Sequence, residues 1–525
     1  MALSLVDRAI NGALSLSERT GLFSASANRL VINRIVGTAR FRPHPFSTVH
    51  DYSSWRGLSD RTYSARHLPG RAPTDLPPVA EVVELFRRPE GQARLCPKST
   101  LLFPAFAQYL TDGFIRTSTD DSLPDRLKRN TSNHEIDLCP LYGRTLAQTE
   151  ILRERSPDPA RRGRLRSQTL DGEEWAPFLY RDGRIAPEFE GLDRPLGLTG
   201  ARGPDDPEGP DPARRDALFA FGGDRANSVP QVAMMNTLLL REHNRLAGRI
   251  AAAEPGWDDD RVFETARNTL IVLFIKLVVE EYINHITPLP FTLRADPGVA
   301  WTAPWNRTNW ITTEFSLLYR WHALVPDRIE WGGETHPLAA LFMNNQPLLR
   351  AGLRASALSL GAQQACELGP MNTSDALLAI EKASVEQGRF CGLAPYADYR
   401  EYVHLPRPRS FADISSRPEV QARLQALYGA PEAVEFFPGL FCEDRATDSP
   451  LPGLILRMVA VDAFSQALTN PLLSPHLFNE ATFSRPGWEA VNAPVRLADL
   501  VARNAPGGAP LDAVRMTRRE WRREG

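Results

Sequence analysis

Residues 314–327, EFSLLYRWHALVPD, decide the fold of this chain, and the rest of the sequence is interpreted outward from them. Tyr319 and His322 stand three positions apart there, so both side chains project from one face if the segment is an α-helix. The imidazole is able to ligate a metal, and the phenol is able to be oxidised to a radical. A buried aromatic helix end is the simpler interpretation of the stretch alone, because Tyr and His are often partly buried.

The composition narrows the classes of function. The chain has 525 residues, and its 61 basic and 63 acidic side chains give a net charge of −2. This balance argues against general nucleic-acid binding, which usually shows a basic excess. The five cysteines form no CxxC pair, so neither a thiolate zinc site nor a disulfide framework is expected. Reduced thiols in a cytoplasmic protein fit this pattern best.

Two apolar stretches could be mistaken for targeting or membrane-spanning segments. The first sixteen residues, MALSLVDRAINGALSL, lack a basic n-region and are interrupted by Asp7 and Arg8, so they do not predict a secretory signal. The run at 269–279, TLIVLFIKLVV, contains Lys276 and is too short to span a bilayer. It predicts a buried core helix.

The stretch at 314–327 resembles the proximal helix of the cyclooxygenases, the prostaglandin-endoperoxide-synthase branch of the animal haem peroxidase superfamily. Similar motifs recur in order between residues 28 and 480. The resemblance implies a mainly α fold, with a haem peroxidase-like helical catalytic domain that binds haem b. It also implies that His322 is the axial ligand of the haem iron and that Tyr319 becomes the radical.

The resemblance divides the chain into an N-terminal segment, 1–75, and a catalytic domain, 76–525. The segment 1–75 is expected to hold a short helical part and a Pro-rich linker. Four apolar side chains near its middle share one helical face: Leu30, Val31, Ile35 and Val36. Two interpretations stay open, a helix packed on the body and a helix lying in a membrane interface with its apolar side inward.

Residues 101–117, LLFPAFAQYLTDGFIRT, resemble the distal helix of the family, where a Gln and a His face the peroxide side of the haem. Gln108 matches the Gln, but Asp112 stands in place of the His. A distal base takes a proton from peroxide and returns it to the leaving oxygen, which a carboxylate is able to do if its pKa and position suit. Asp112 is a substitute base, the mark of a lost peroxidase activity, or a side chain turned away from the haem.

Two further helices are expected between these motifs. LREHNR, at 240–245, is close to a hallmark motif of the superfamily, and its His243 is expected to be a packed structural residue. Asp224 and Asn227 precede this helix as plausible cap residues. The stretch 262–286 resembles the helix under the radical tyrosine, and Tyr282 takes the place of a tyrosine hydrogen-bonded to that radical.

The resemblance also assigns the residues that bind the substrate carboxylate. Arg40 takes the place of the arginine that pairs with a fatty-acid carboxylate, and Arg42 is a rival two positions away. A guanidinium suits this role because it stays charged and binds a carboxylate through two hydrogen bonds. Leu289 stands where the cyclooxygenases carry a second carboxylate-binding tyrosine, which implies an altered clamp.

The apolar substrate channel is assigned by the same comparison. VDAFSQALTNPLLSP, at 461–475, resembles the channel-lining segment that contains the serine acetylated by aspirin. Ser465 takes that position, and Ser465 and Phe464 are expected to form channel wall. Phe315 and Leu318, beside Tyr319, are assigned to the same channel. Ser465 is not expected to be a nucleophile, because no serine-hydrolase elbow surrounds it.

The function expected from the resemblance is a haem-dependent fatty-acid dioxygenase. A Tyr319 radical would take hydrogen from an unsaturated fatty acid, and O2 would add to form a lipid hydroperoxide. A haem peroxidase or peroxygenase with Asp112 as distal base is one alternative, and a non-catalytic haem-binding protein is another. The resemblance further implies a homodimer and peripheral membrane contact through the N-terminal helix.

Overall fold

The computed structural model describes residues 5–21, 23–37, 46–71, 74–197 and 211–518. These residues are mainly α-helical, and their strands form separate two-stranded antiparallel pairs. The mainly α fold expected from the sequence is confirmed.

The α-helices of the described residues are α1 (Leu5–Thr20), α2 (Ser24–Val36), α3 (Trp55–Ser59), α4 (Val79–Val83), α5 (Leu102–Phe114), α6 (Cys139–Tyr142), α7 (Leu146–Leu152), α8 (Pro212–Arg215), α9 (Pro230–Ala253), α10 (Asp259–Leu277), α11 (Asn284–Ile286), α12 (Thr313–Leu318), α13 (Gln346–Ala362), α14 (Leu378–Phe390), α15 (Tyr396–Tyr402), α16 (Pro418–Tyr428), α17 (Phe436–Cys442), α18 (Gly453–Leu468), α19 (Glu480–Asn492) and α20 (Leu497–Asn504). The strand pairs are β1 (Phe46–Ser47) with β2 (Ala65–Arg66), β3 (Leu95–Thr100) with β10 (Gln364–Cys366), β4 (Gln168–Leu170) with β5 (Glu173–Trp175), β6 (Tyr180–Arg181) with β7 (Arg184–Ile185), and β8 (Arg328–Trp331) with β9 (Glu334–Pro337).

Helix α9 lies at the centre of the core and packs against α5, α10, α13 and α19. Its His243 is fully buried, and both ring nitrogens are occupied. The Tyr142 hydroxyl donates to Nδ1 at 2.8 Å, and Nε2 donates to the Gly163 carbonyl at 2.8 Å. Because no ring nitrogen is left for iron, the structural role expected for His243 is confirmed.

The expected caps of α9 are wrong. The helix begins at Pro230, and its N-cap residue, Val229, makes no side-chain cap hydrogen bond. Asp224 instead pairs with Arg116 at 2.7 Å, and the Asn227 side chain bonds the Phe219 backbone. Proline at the first helical position needs no hydrogen bond for its nitrogen, so this helix start depends less on a side-chain cap.

Helix α10, Asp259–Leu277, has a side-chain cap at its start. Asp258 caps it by accepting a hydrogen bond from the Arg261 backbone N–H at 2.8 Å. The apolar run 269–279 is buried, as predicted for a core helix. The helix then continues through a π-helical segment, Val278–Ile283, which carries Tyr282. Such π segments are often found at functional sites.

The N-terminal helix α2 packs on the body, against α18. Its buried apolar side chains are Val31, Ile32 and Val36, whereas Leu30 is 57% exposed. The buried face is therefore rotated from the predicted one, with Ile32 in place of Leu30. Arg29 fixes this orientation through a 2.5 Å ion pair with Asp296. None of the helices in the described ranges combines the length and apolarity that crossing a bilayer requires.

A close approach of two backbone segments makes Gly222 a sensitive position. A Cβ at this residue would overlap the Gly143 nitrogen and lie 2.6 Å from the Cys139 carbonyl oxygen. Backbone atoms move only with the elements that carry them, so we expect Gly222→Ala to lower the free energy of unfolding by about 3 kcal/mol. Urea unfolding measures this change. The slope of the free energy of unfolding against urea concentration should stay the same in the variant, because only its stability is expected to change.

The matched control for that substitution is Gly248→Ala. Gly248 lies inside α9, and an added Cβ would meet no atom within 4 Å. Removing glycine from a helix interior should raise the free energy of unfolding by about 0.5–1 kcal/mol. Equal effects of the two substitutions would contradict the packing at Gly222.

Candidate active site

The segment that carries Tyr319 and His322 is not one continuous helix, which corrects the sequence-based expectation. Helix α12 ends at Leu318, and a 3-10 turn, His322–Leu324, follows. The Leu318 carbonyl accepts a hydrogen bond from the Trp321 indole N–H at 2.6 Å. In a continued helix this carbonyl would bond the backbone N–H of His322, so the indole replaces the bond that would propagate the helix.

Tyr319 and His322 nevertheless line the same cavity, which has a volume of about 410 Å³. This volume is within the usual range of small-molecule and cofactor sites. Helix α5 forms another part of the wall with Gln108 and Asp112, and α14 adds Ala383 and Ser384. The cavity thus brings together the four residues that the sequence assigned to iron ligation, radical formation and the peroxide side.

The spacing of α5 explains which of its residues reach the cavity. Pro104, Gln108 and Asp112 follow one another at intervals of four positions and line it, together with Ala107 and Thr111, which each follow one of them by three positions. The large aromatic side chains of the helix are buried on its other faces. Gln108 is held by a hydrogen bond from Nε2 to the Ser228 hydroxyl at 3.2 Å. One helix face therefore presents the polar groups of this wall.

Asp112 is among the residues that line the cavity. Its side chain is 9% exposed, and Oδ1 lies 3.7 Å from Arg225 Nη1. Oδ2 is buried without a hydrogen-bond partner. Burial raises the pKa of Asp112 to about 7, against the opposing effect of the Arg225 charge. The carboxyl can therefore exchange a proton near neutral pH.

His322 is partly exposed to the cavity, with 18% of its side chain accessible. Its Nδ1 lies 3.3 Å from Oε1 of Glu381, a carboxylate on the first turn of α14. No hydrogen bond recorded among the described residues uses Nε2, so this nitrogen is available to ligate a metal. A carboxylate on one imidazole nitrogen and a metal on the other is a common arrangement in metal sites.

Tyr319 belongs to a cluster of aromatic rings. Its ring stacks on Trp321 with the centroids 4.8 Å apart, and Trp321 stacks on Tyr282 with the centroids 6.3 Å apart. Phe103 on α5 packs on both Trp321 and Tyr282. The indole therefore contacts both tyrosine rings and restricts their positions.

The hydroxyls of Tyr319 and Tyr282 are both buried, and they are close enough for each to affect the pKa of the other. Neither forms a hydrogen bond of ordinary geometry in the described residues. Burial raises the pKa of Tyr319 above its ordinary value, and the neighbouring Tyr282 hydroxyl opposes that rise. Tyr319 is therefore a neutral phenol at neutral pH, and its oxidation must release a proton together with an electron.

The residues assigned to the substrate channel lie in the core. Phe315 and Leu318 on α12 and Phe464 and Ser465 on α18 are buried, and the two helices pack together. None of them is among the residues that line the cavity of Tyr319, and Leu289 is partly buried against the core. The Ser465 hydroxyl donates to the Asp462 carbonyl at 2.9 Å. Their contact with a substrate stays a prediction.

Arg40 and Arg42, the candidates for binding a substrate carboxylate, lie outside the described residues. Their assignment therefore stays a prediction as well.

Sequence reasoning missed several side chains of this site. Arg225 and Arg320 both line the cavity, and burial lowers the pKa of Arg320 to about 10. Glu381 lies 59 positions after His322, and no motif marks it. Among the further side chains around the cavity, only Trp321 was recognisable from the sequence, because it stands between Tyr319 and His322 in the quoted stretch.

Comparison with known proteins identifies the family. Residues 104–513, most of the chain, match the family model described as animal haem peroxidase. This chain belongs to the animal haem peroxidase family. Members of the family are haem-dependent oxidoreductases, so the chain is an oxidoreductase that uses haem.

Sequence relatives place the chain on the cyclooxygenase branch of the animal haem peroxidases. It is 30% identical over 485 residues to prostaglandin G/H synthase 2 of Equus caballus, with 89% of this chain and 74% of the relative covered. It is 29% identical over 499 residues to prostaglandin G/H synthase 1 of Mus musculus, with coverages of 92% and 78%. The family resemblance seen in the sequence is confirmed.

Solved structures show the same fold at lower sequence identity. The fatty acid alpha-dioxygenase of Oryza sativa superposes with a TM-score of 0.67 at 16% identity, covering 96% of this chain and 95% of that one. Peroxidase A of Dictyostelium discoideum gives a TM-score of 0.65 at 18% identity, with coverages of 89% and 95%. Both similarities extend over nearly the whole of the chains compared.

The residues that line the cavity suit haem. His322 offers an imidazole nitrogen for the iron, and its second nitrogen already has a carboxylate partner. Arg225 and Arg320 supply positive charge for acidic substituents of a cofactor. Apolar wall is provided by Leu338, Phe342 and Leu377.

Proposed function

We propose that the protein is a haem-dependent fatty-acid dioxygenase that forms a lipid hydroperoxide by way of a Tyr319 radical. The observation that carries the proposal is that Tyr319 and His322 line one cavity with Gln108 and Asp112. The names of its relatives support the substrate class, because the sequence relatives are prostaglandin G/H synthases and the structural neighbours include fatty acid alpha-dioxygenases. One of those neighbours was solved with palmitic acid.

His322 would hold the haem iron through the imidazole nitrogen that Glu381 leaves unused, and bound haem would supply peroxide reduction and one-electron oxidation at this site. Asp112 in its ionised form takes a proton from a peroxide on the α5 side and returns it to the leaving oxygen. Gln108, fixed by Ser228, orients the peroxide by hydrogen bonding. Tyr319 would give an electron to the oxidant that haem and peroxide supply and its hydroxyl proton to the water formed when the peroxide is reduced. The stacked Trp321 keeps the Tyr319 ring in place.

The Tyr319 radical is consumed and restored in each cycle at the substrate. The Tyr319 oxygen radical takes a hydrogen atom from a C–H bond of the fatty acid, so the phenol re-forms and a carbon radical remains. O2 adds to that carbon and gives a peroxyl radical. The peroxyl radical takes the hydrogen atom back from Tyr319, which yields the hydroperoxide and restores the tyrosyl radical. The hydrocarbon chain of the fatty acid lies outside the cavity that holds haem, against a wall formed by Phe315, Leu318, Leu289, Phe464 and Ser465. Arg40 binds the carboxylate of the fatty acid.

Oxygen uptake by the haem-loaded protein tests this function. We expect linoleate, with a trace of lipid hydroperoxide to start the cycle, to consume one O2 for each hydroperoxide formed. Palmitate is the matched substrate, because it lacks the weak C–H bonds between double bonds and should react much more slowly. No uptake with linoleate, or equal rates with both acids, would contradict an oxygenase of unsaturated fatty acids.

A second candidate is a peroxidase or peroxygenase that acts on lipid hydroperoxides. Asp112 favours it, because a carboxyl with a pKa near 7 lines the cavity where a distal base is needed. This function predicts turnover that consumes peroxide and needs no O2. Contact of the N-terminal helices with a membrane interface and assembly as a homodimer are compatible with either function and stay predictions.

The pH dependence of peroxide consumption tests the role of Asp112. Only the ionised carboxylate accepts a proton, so the rate should rise with pH through about 7 and level off above it. Asp112→Asn should lower the rate by about 100-fold at pH 8 and remove this rise. Thr111→Ala is the control, since Thr111 lines the same cavity but its hydroxyl bonds its own helix. An unchanged profile in Asp112→Asn would exclude Asp112 as the base.

A further inference from the structure

The imidazole of His322 has an acidic partner that the sequence resemblance does not assign. Nδ1 of His322 lies 3.3 Å from Oε1 of Glu381, and the Glu381 side chain is 2% exposed. Glu381 and His322 are brought together because α14 packs against α12. Burying a carboxylate destabilises the folded protein unless the carboxylate is paired, so the contact with His322 needs a functional explanation.

The surroundings of Glu381 hold its carboxylate toward His322. The Thr373 hydroxyl donates to the same Oε1 at 3.0 Å, and Oε2 is buried without a hydrogen-bond partner. Glu381 also sits on the first turn of α14, where the helix dipole favours a negative charge. Among the described residues, no Arg or Lys lies within 4.0 Å of its carboxylate, so an ordinary ion pair does not account for its burial.

We propose that Glu381 is a positioning residue that orients His322 toward the haem iron and increases electron donation from its ring. A hydrogen bond from Nδ1 to the carboxylate fixes the tautomer and leaves the Nε2 lone pair for the metal. The negative charge makes the imidazole a stronger donor, which stabilises ferric over ferrous iron. This inference rests on the proposed ligation of haem by His322.

The test uses the haem-loaded full chain and the variant Glu381→Gln, which keeps the shape of the side chain and removes its charge. The ferrous iron–histidine stretching vibration, measured by resonance Raman, should shift to lower frequency as the imidazole becomes a weaker donor. The reduction equilibrium should move about tenfold toward ferrous iron, which is about 59 mV for one electron. Glu386→Gln is the matched control, because it makes the same change at an exposed glutamate of α14 that does not line the cavity.

Two further variants distinguish a failure of this inference from a failure of the proposed ligation of haem by His322. Loss of the iron–histidine vibration in His322→Ala, together with no shift of vibration or potential in Glu381→Gln, would overturn the inference and leave the ligand assignment standing. Persistence of the vibration in His322→Ala would overturn the ligand assignment and the inference with it. If Glu381→Gln fails to hold haem, Glu381→Asp tests the same point, because its shorter side chain should give a smaller shift of the same sign.

Discussion

Tyr319→Phe should reduce fatty-acid-dependent oxygen uptake to the background of free haem, while haem binding is kept. Phenylalanine has no O–H bond, so it is unable to take and return a hydrogen atom. The aromatic ring that contacts Phe315 and stacks on Trp321 is retained, so the cavity wall should keep its shape. The measurement is O2 consumption with linoleate, beside the haem absorption spectrum.

The stability of Tyr319→Phe should change little, which separates this result from unfolding. The Tyr319 hydroxyl is buried near the Tyr282 hydroxyl without a hydrogen bond of ordinary geometry, so its removal takes away little bonding. Tyr282→Phe is the comparison variant, because it also deletes a buried hydroxyl in the same cluster. We expect Tyr282→Phe to lower oxygen uptake without abolishing it. Wild-type uptake in Tyr319→Phe would exclude Tyr319 as the hydrogen acceptor.

His322→Ala should weaken haem binding by about 100-fold and change the absorption spectrum of whatever haem remains. The substitution removes the imidazole that lines the cavity and leaves Glu381 buried without its partner. A buried carboxylate that keeps the Thr373 hydroxyl but loses the imidazole also destabilises the fold, so thermal unfolding should shift to lower temperature. Haem titration followed by absorbance measures the first effect, and calorimetry measures the second.

Added imidazole provides the decisive check on His322→Ala. A free imidazole that enters the space left by the side chain should restore the spectrum and part of the affinity. His476→Ala is the control, because His476 is an exposed histidine outside the cavity and should leave haem binding unchanged. Tight haem binding with an unaltered spectrum in His322→Ala would mean that another residue ligates the iron.

The sequence predicted the parts of this protein that depend on local pattern. The spacing of Gln108 and Asp112 places both on one face of α5, and that face lines the cavity. The start of α10 likewise depends on local chemistry, because the Asp258 side chain caps it three residues from its partner. The assignment of Tyr319 and His322 came from the resemblance of the quoted stretch to the proximal helix of the family, and both residues line one cavity.

Other features depended on contacts between segments far apart in the chain. The periodicity of α2 predicted an apolar face, but packing against α18 and the ion pair of Arg29 selected Ile32 instead of Leu30. The break after Leu318 followed from the Trp321 indole, which takes a carbonyl that helix propensity assigns to the backbone. Propensity describes what a segment favours alone, and a side-chain hydrogen bond can override it.

The sequence by itself therefore determined the fold class and the family, and it pointed to Gln108, Asp112, Tyr319 and His322, because its motifs resemble those of a known family in order along the chain. Only the tertiary structure decided that Glu381 meets His322, that Arg225 faces Asp112 and that burial brings the pKa of Asp112 to about 7. The physical reason is that a charge acts through distance and burial, and both are set by how helices pack and not by their separation along the chain.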